Sequence, residues 1–205
     1  MSIDALFAQL KHPNPHLREQ ALWELAEQDD KTTIPRLMEI LDEEDVVFRR
    51  SAVKALGAIG AGAVPAIVAA LLHSDNVTVR GSCAKALAQI AVNHPDITFP
   101  TEGLQGLKQA LGDANPVVHI AAAMALGEIG VPALEALIEV LHTTDNPALA
   151  VSVVNAIAAI GDPRGAEVLS ALTQDDTIDA YVRETAVSAL SRIEQVNYFK
   201  SKSRP

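Results

Sequence analysis

The chain has 205 residues, of which 49% are hydrophobic and only 3% aromatic, and its formal net charge is −10. The acidic balance argues against a nucleic-acid partner, because such a surface needs clustered Lys and Arg. The N-terminus lacks the basic and apolar segments of a signal peptide. One cysteine excludes an internal disulfide and favours a reducing compartment. We therefore expect a cytoplasmic protein without a membrane or nucleic-acid partner.

Six segments of the chain share one pattern that sets its organisation. Each begins with Asn or Asp, which suits a helix N-cap, and in three of them Pro follows at the first helical position. Glycine follows the last apolar residue in three segments, as expected for a C-terminal cap. The segments begin at residues 14, 45, 76, 115, 146 and 179, so four of the five spacings are nearly equal and the third is longer.

Two positions recur in phase through all six segments. One is a small residue and the other is a large aliphatic residue. Shorter amphipathic stretches lie between the segments, beginning with residues 3–11, so we predict twelve helices in six antiparallel pairs and no strands. The small position is Ala21, Ala52, Cys83, Ala122, Val153 and Ala186, and the aliphatic position is Leu25, Leu56, Leu87, Leu126, Ile157 and Leu190.

Stacked helix pairs with this repeat length predict a right-handed α-solenoid, whose concave wall is lined by the second helix of each pair. We predict one such solenoid over residues 1–196. Residues 197–205 are polar and basic and are predicted to form a flexible tail, in which Tyr198 and Phe199 are able to dock on the last repeat.

The motif VRxxAxxALxxIG followed by PxLxxxL resembles the HEAT-like repeat. Its short form is similar to the repeat of the phycobilisome lyase family of cyanobacteria and red algae, most clearly in HSDNVTVRGSCAKALAQIA and DNPALAVSVVNAIAAIGDPRG. The resemblance implies a non-catalytic, chaperone-like helper that binds a bilin lyase, a phycobiliprotein subunit or both during chromophore attachment. It also implies a location in the cyanobacterial cytoplasm or the red-algal plastid stroma.

The resemblance leaves two other functions open. One is a bilin lyase subunit that binds and transfers the bilin itself, with Tyr181, His119 or Asp96 assisting protonation. The other is a scaffold for iron–sulfur cluster assembly, because a similar cyanobacterial HEAT protein is associated with that process. A partner would then carry most cluster ligands, since one cysteine cannot supply the usual four. We expect a bilin to be bound only transiently, and we assign no catalytic residue and no metal site.

The second helices carry the candidate binding surface. With the initial Asn or Asp as position 1, positions 4, 8, 11, 12 and 15 form a core stripe, and positions 3, 6 and 10 point away from it. We call the latter the groove positions. They are basic or polar in the early repeats and apolar in the fourth and fifth. The groove candidates are Trp23, Arg50, Lys54, Lys85, Val117, Ile120, Met124, Val151, Asn155 and Tyr181.

The run NPALAVSVVNAIAAIG, residues 146–161, contains no charge, although a surface helix normally has one solvated face. A partner, the neighbouring repeats or a second copy in a homodimer would each cover its second face. We favour a partner, because large exposed apolar patches usually mark interaction sites.

Position 5 of the second helices is Arg18, Arg49, Arg80 and Arg183 in four repeats. We expect these arginines to contact acids and carbonyls of adjacent turns. The fourth and fifth repeats carry His119 and Ala150 there instead, and His119 is interpreted as a partly buried structural histidine.

The one longer spacing, between Asn76 and Asn115, places an insertion near residues 92–103, where two prolines predict an extended loop. His94, Asp96 and Phe99 are its functional candidates. We favour the other interpretation of the insertion, a spacer packed on the ridge of the repeats. Cys83 stands where five repeats carry Ala or Val and is predicted to be a buried core thiol.

Overall fold

The computed structural model describes residues 1–28 and 30–202, and of residues 196–202 only the backbone. Within these ranges the chain forms twelve α-helices and no strand, which confirms the all-α repeat fold. The helices are α1 (Ile3–Gln9), α2 (Pro15–Glu27), α3 (Thr33–Ile40), α4 (Val46–Ile59), α5 (Val64–His73), α6 (Val77–Asn93), α7 (Thr101–Ala110), α8 (Pro116–Ile129), α9 (Leu134–Thr143), α10 (Pro147–Ile160), α11 (Pro163–Thr173) and α12 (Ala180–Lys202).

The chain forms two compact units, residues 1–110 and residues 111–205. In the first, α1 packs on α2, α3 on α4 and α5 on α6, and the second helices α2, α4 and α6 also pack side by side. In the second unit, α9 packs on α10 and α11 on α12, while α8, α10 and α12 pack side by side. The division falls between α7 and α8, the predicted fourth pair, and the single solenoid over residues 1–196 stays a prediction.

All six predicted N-caps are present. In each, the Asn or Asp side chain accepts a hydrogen bond from the N–H two residues later, as Asn76 Oδ1 does from Thr78 at 2.7 Å and Asp179 Oδ1 from Tyr181 at 2.9 Å. The three predicted glycine caps also hold. Gly60, Gly130 and Gly161 have φ of +79°, +84° and +69°, values that side-chain-bearing residues rarely adopt.

The two recurring positions form the core of the repeats. Every residue of the small position has no exposed surface, and the same is true of the aliphatic position from Leu25 to Ile157. Leu190 is half-buried, because α12 packs mainly against α10 and α11 among the described helices. Burying such side chains is the main source of stability in this fold, at about 1.5–3 kcal/mol for each large aliphatic residue.

Glycine allows two pairs of second helices to approach closely. A methyl group built on Gly57 of α4 would lie 2.3 Å from Cγ and 2.6 Å from Cβ of Gln89 on α6. A methyl group on Gly127 of α8 would lie 3.3 Å from Cα of Ala156 on α10. Both glycines occupy position 13, which is Ala or Ser in the other repeats. Position 13 is therefore small because the neighbouring helix lies against it.

The stretch Val46–His73 contains an 18-residue window with a mean hydropathy of 2.1, long and apolar enough to cross a membrane by length and composition. It is not one straight helix, because α4 ends at Ile59 and a 3₁₀ turn at Gly60–Ala63 precedes α5. About 56% of that window is buried inside the protein. These features are those of two core helices from successive repeats, α4 and α5.

Part of the predicted tail continues α12, whose backbone extends to Lys202. The side chains of Tyr198 and Phe199 and all of residues 203–205 lie outside the described part of the chain. The flexible tail over residues 197–205 therefore stays a prediction.

We expect Gly57→Ala to lower the free energy of unfolding by about 1–2 kcal/mol, because the methyl group overlaps Gln89 and pushes α4 from α6. Urea unfolding followed by circular dichroism measures the change. Gly62→Ala is the matched control, since its methyl group would meet only one atom, at 4.0 Å. An equal loss in both variants would show that the contact with Gln89 is not the cause.

Candidate partner-binding surfaces

The first unit carries a basic surface on its second helices, formed by Trp23 of α2, Arg50 and Lys54 of α4 and Lys85 of α6. All four side chains are exposed, and Trp23 retains 42% of its accessible surface. Among the described residues, none of the three cations forms an ion pair. This basic surface therefore presents free positive charge beside an exposed indole.

Two shallow clefts bring parts of the basic surface together. Arg50 and Lys54 line one of about 270 Å³ between α2 and α4, together with Glu19. Trp23 and Lys54 line a second, of about 120 Å³, together with Gln89 and Asn93 of α6. Lys85 lies at the same helix position as Lys54 but lines neither cleft.

The second unit carries an apolar surface on α8, formed by Val117, Ile120 and Met124. Their exposed fractions are 54%, 38% and 66%. The helix has an apolar buried side as well, with Val118, Ala122 and Leu126 inaccessible to solvent. The neighbouring helices therefore cover one side of α8 and leave these three side chains in water. We call them the α8 apolar face.

On α10, the groove positions expose less apolar surface than the sequence predicts. Val151 is half-buried, and Asn155 is held in hydrogen bonds. Asn155 Nδ2 donates to the Val151 carbonyl at 2.9 Å, and its Oδ1 accepts from Arg192 Nη2 on α12 at 2.5 Å. Arg192 was missed by sequence reasoning. The sequence does contain an indication of its role, because Arg192 lies four residues after groove position 10 of α12 and therefore on the same side of that helix.

Neighbouring helices cover most of the charge-free run. α10 packs against α8, α9, α11 and α12, and seven of its residues are buried. Its exposed side chains are small or polar, such as Ala148, Asn155 and Ala159. The interpretation that a partner covers α10 is thus replaced by internal packing. The exposed apolar surface lies on α8 instead. Tyr181, the last groove candidate, is 66% exposed on α12.

The arginines at position 5 fasten each second helix to the turn before it. Arg18 Nη1 donates to the carbonyls of His12 and Pro13 at 2.6 and 2.9 Å. Arg49 Nη1 donates to the Glu43 carbonyl at 2.5 Å, and Arg80 Nη1 to the Ser74 carbonyl at 2.9 Å. The acceptors lie five or six residues earlier in the same repeat, so each contact closes a turn rather than linking two repeats.

The histidine at position 5 makes a weaker contact of the same kind. His119 is 4% exposed, and its Nδ1 lies 3.4 Å from the Asp113 carbonyl. Its Nε2 is buried without a hydrogen-bond partner among the described residues. This placement agrees with a structural histidine and keeps the ring away from a solvent-borne ligand.

The inserted loop is fastened to the first unit by two of its three candidates. His94 Nε2 lies 3.2 and 3.1 Å from the carbonyls of Gly57 and Ala58, so as a protonated nitrogen it donates to the C-terminus of α4. Phe99 is 9% exposed and packs against Gly103 of α7. Of the three candidates, only Asp96 is exposed. These contacts fit the packed spacer better than a binding loop.

Cys83 is fully buried in α6, as its position in the repeat predicts. Burial raises the pKa of its thiol to about 12, because the thiolate would lose its hydration. A thiol with such a pKa is a poor nucleophile and a poor metal ligand. No group of three His, Cys, Asp or Glu side chains suited to a metal ion occurs among the residues the structure describes.

A cleft on the first helices of the first unit was also missed by sequence reasoning. It has a volume of about 470 Å³ and lies between α1, α3 and the start of α4. Arg36 stacks 3.9 Å from the centre of the Phe7 ring, and Lys11 Nζ lies 4.1 Å from that of Phe48. Two of the four phenylalanines thus meet cations here, Phe7 of α1 beside Arg36 of α3 and Phe48 of α4 beside Lys11.

The family described as HEAT repeats matches residues 3–88 and 104–191. The chain belongs to the HEAT-repeat family. The interruption between the two matched ranges contains the inserted loop. The resemblance carried by VRxxAxxALxxIG is thereby confirmed, and so is the helical repeat architecture that it implied.

Two relatives extend the match over most of the chain. The uncharacterized phycocyanin operon protein Z of Pseudanabaena tenuis (strain PCC 7409) is 60% identical over 98% of this chain and 99% of its own length. The bilin biosynthesis protein CpeZ of Synechococcus sp. (strain WH8020) is 35% identical over 78% of this chain and 88% of its own length. At these identities the chain belongs to the same family as both relatives.

The solved complex of CpcE and CpcF of phycocyanin lyase from Nostoc sp. PCC7120 is 22% identical, covering 75% of this chain and 96% of the matched chain, with a TM-score of 0.49. Nothing about function follows from so distant a likeness.

We expect His94→Ala to lower the free energy of unfolding by about 1 kcal/mol, because it removes the hydrogen bonds to the end of α4. Asp96→Ala is the matched control from the same loop and should change stability by no more than about 0.5 kcal/mol. Thermal or urea unfolding of both variants measures the difference. The anchoring role is wrong if His94→Ala is as stable as the control.

The buried thiol predicts a pH dependence. The pKa of Cys83 is about 12 in the folded protein and 9.0 when unperturbed, so the unfolded state loses the proton first as the pH rises. Stability from this group is complete below about pH 9 and falls towards pH 12. Between pH 8 and 10, the wild type should lose about 1 kcal/mol more than Cys83→Ala, measured by urea unfolding. Equal losses would mean that the thiol titrates normally.

Proposed function

We propose that this protein is a non-catalytic helper in bilin attachment, which holds a bilin lyase or a phycobiliprotein subunit through the exposed faces of its second helices. The observation that carries the proposal is the α8 apolar face, three large aliphatic side chains left in water on a helix that is otherwise packed. Solvent-exposed clusters of this kind usually mark interaction sites. Bilin attachment as the process is inferred from the names of the two relatives.

The two relatives support bilin biosynthesis as that process. One is named a bilin biosynthesis protein and the other a phycocyanin operon protein, and the second is 60% identical over nearly the whole chain. Identity at this level over nearly the whole chain makes a shared role the simplest inference. The proposal places the action in the compartment where phycobiliproteins acquire their chromophores.

The chemistry of the described residues favours a helper over a lyase subunit. Of the three candidates for assisting protonation in a lyase subunit, His119 is buried, and Tyr181 and Asp96 are exposed on separate elements. The basic surface with Trp23 suits the carboxylates of a passing bilin, or an acidic partner, without a reacting group beside it. Cys83 is buried and its pKa is raised to about 12, which disfavours a thiolate ligand, so an iron–sulfur role would depend on cluster ligands from a partner.

The experiment is reconstitution of attachment in a bacterial host. The chain is co-expressed with a bilin-producing pathway, a phycobiliprotein subunit and its lyase, each omitted in turn, and covalent chromophore is measured by in-gel fluorescence of the denatured subunit. We expect this chain to raise the yield only when the lyase is present. Attachment without the lyase would make the chain a lyase subunit, and an unchanged yield in every combination would contradict any role in attachment.

The α8 apolar face gives a second prediction. Ile120→Glu and Met124→Glu should each weaken pull-down of the purified lyase or phycobiliprotein subunit at least about tenfold, because a buried unpaired carboxylate costs more than about 1.4 kcal/mol at an interface. Val187→Glu is the control, since Val187 is 55% exposed on α12, away from this face. Circular dichroism should show equal helicity in all three. Binding that survives both α8 substitutions would exclude this face.

A further inference from the structure

The second unit contains a pocket of about 190 Å³ beside the first turn of α10. Its apolar lining includes Leu141, Leu172 and Val182, and its polar lining includes Thr144, Asp145 and Asp179. Ala150, at position 5 of the fifth repeat, also lines it. The pocket therefore lies where other repeats carry the arginine that closes the turn.

The four repeats that carry an arginine at position 5 show which groups a guanidinium contacts at this position. In three of them the guanidinium donates to the carbonyls five or six residues earlier, as Arg18 does to His12 and Pro13 and Arg80 does to Ser74. In the sixth repeat, Arg183 Nη1 donates instead to the Asp176 carboxylate at 2.5 Å. All four arginines are half-buried, with their stems against the repeat. The fold thus forms guanidinium sites by its own geometry.

The fifth repeat has the acceptors of such a site but not the arginine. The carbonyls six and five residues before Ala150 belong to Thr144 and Asp145, and neither accepts a hydrogen bond from a donor in the described part of the chain. The carboxylate of Asp145 is exposed. Asp179 Oδ1 caps α12 and leaves its other oxygen available. A guanidinium has five N–H donors, which match this set of carbonyl and carboxylate oxygens.

Charge indicates where the arginine comes from. The residues that line the pocket include Asp145 and Asp179 but no Lys or Arg, so its lining is acidic. The chain itself carries a net charge of −10, which disfavours association with a second copy. Six of the described arginines already have partners within the chain. Four are the position-5 arginines, Arg36 pairs with Asp4, and Arg164 pairs with Glu135.

We propose that the Ala150 pocket is a binding site for an arginine side chain of a protein partner other than a second copy. The guanidinium donates to the carbonyls of Thr144 and Asp145 and pairs with the carboxylates of Asp145 and Asp179, while the aliphatic stem lies on Leu141, Leu172 and Val182. The chemistry of this site is independent of the proposed role in bilin attachment.

The first test titrates the full-length, ¹⁵N-labelled protein with N-acetyl-L-arginine amide and, separately, with N-acetyl-L-lysine amide. The arginine probe should give saturable shifts of the amide signals of residues 144–146 and 177–179, with an affinity at least about fivefold above that of the lysine probe. No saturable shift at these residues, or equal binding of both probes, would overturn the proposal.

The second test restores the missing side chain within the chain. Ala150→Arg should abolish binding of the arginine probe and raise Tm by about 2–4 °C, as expected for one additional guanidinium contact in a chain of this size. Ala159→Arg adds the same side chain at an exposed place near the other end of α10, and it should leave probe binding unchanged. A Tm of Ala150→Arg no higher than that of the control would overturn the proposal.

Sedimentation velocity identifies the source of the arginine. We expect wild type and Ala150→Arg to sediment alike as monomers. A wild-type dimer that Ala150→Arg dissociates would instead assign the pocket to a second copy and overturn the choice of a different partner.

Discussion

Side-by-side packing of the second helices is the constraint on which the rest of each unit depends. α2, α4 and α6 form one such row, and α8, α10 and α12 form another. The close approach requires a small residue at position 13, as the contact of Gly57 with Gln89 shows. Once the row is formed, the core stripe of each helix is largely buried and most side chains at positions 3, 6 and 10 remain exposed. The candidate surfaces are therefore consequences of the packing rather than additions to it.

The local part of this arrangement could be predicted from sequence. N-caps, glycine caps and the aliphatic ladder depend on residues within one helix, so a repeat of nearly constant length reveals all of them. The non-local part could not. The cover of α10 depends on four helices packed around it, and the hydrogen bonds of His94 to α4 and of Arg192 to Asn155 join positions far apart in the chain. No periodicity reports such contacts.

The same distinction explains the candidate site. Exposure of Trp23, Lys54, Ile120 and Met124 followed from helix geometry, because positions 6 and 10 lie opposite the core stripe. Val151 and Asn155 occupy the same positions, but Val151 is half-buried and Asn155 accepts a hydrogen bond from Arg192 of α12. A groove position therefore predicts the direction of a side chain, while its neighbours decide whether that side chain is available to a partner.

Position 5 shows that neighbouring residues also decide whether a pocket forms in a repeat. An arginine there lies over its own turn and donates to carbonyls of that turn, so a repeat without it leaves the corresponding carbonyls without this donor. His119 makes a 3.4 Å contact of the same kind, whereas a pocket of about 190 Å³ lies beside Ala150. A repeat protein can thus acquire a specific site by losing a side chain, because the other repeats retain the geometry that the missing group would need. The sites to examine in such a fold are the positions where one repeat departs from the rest.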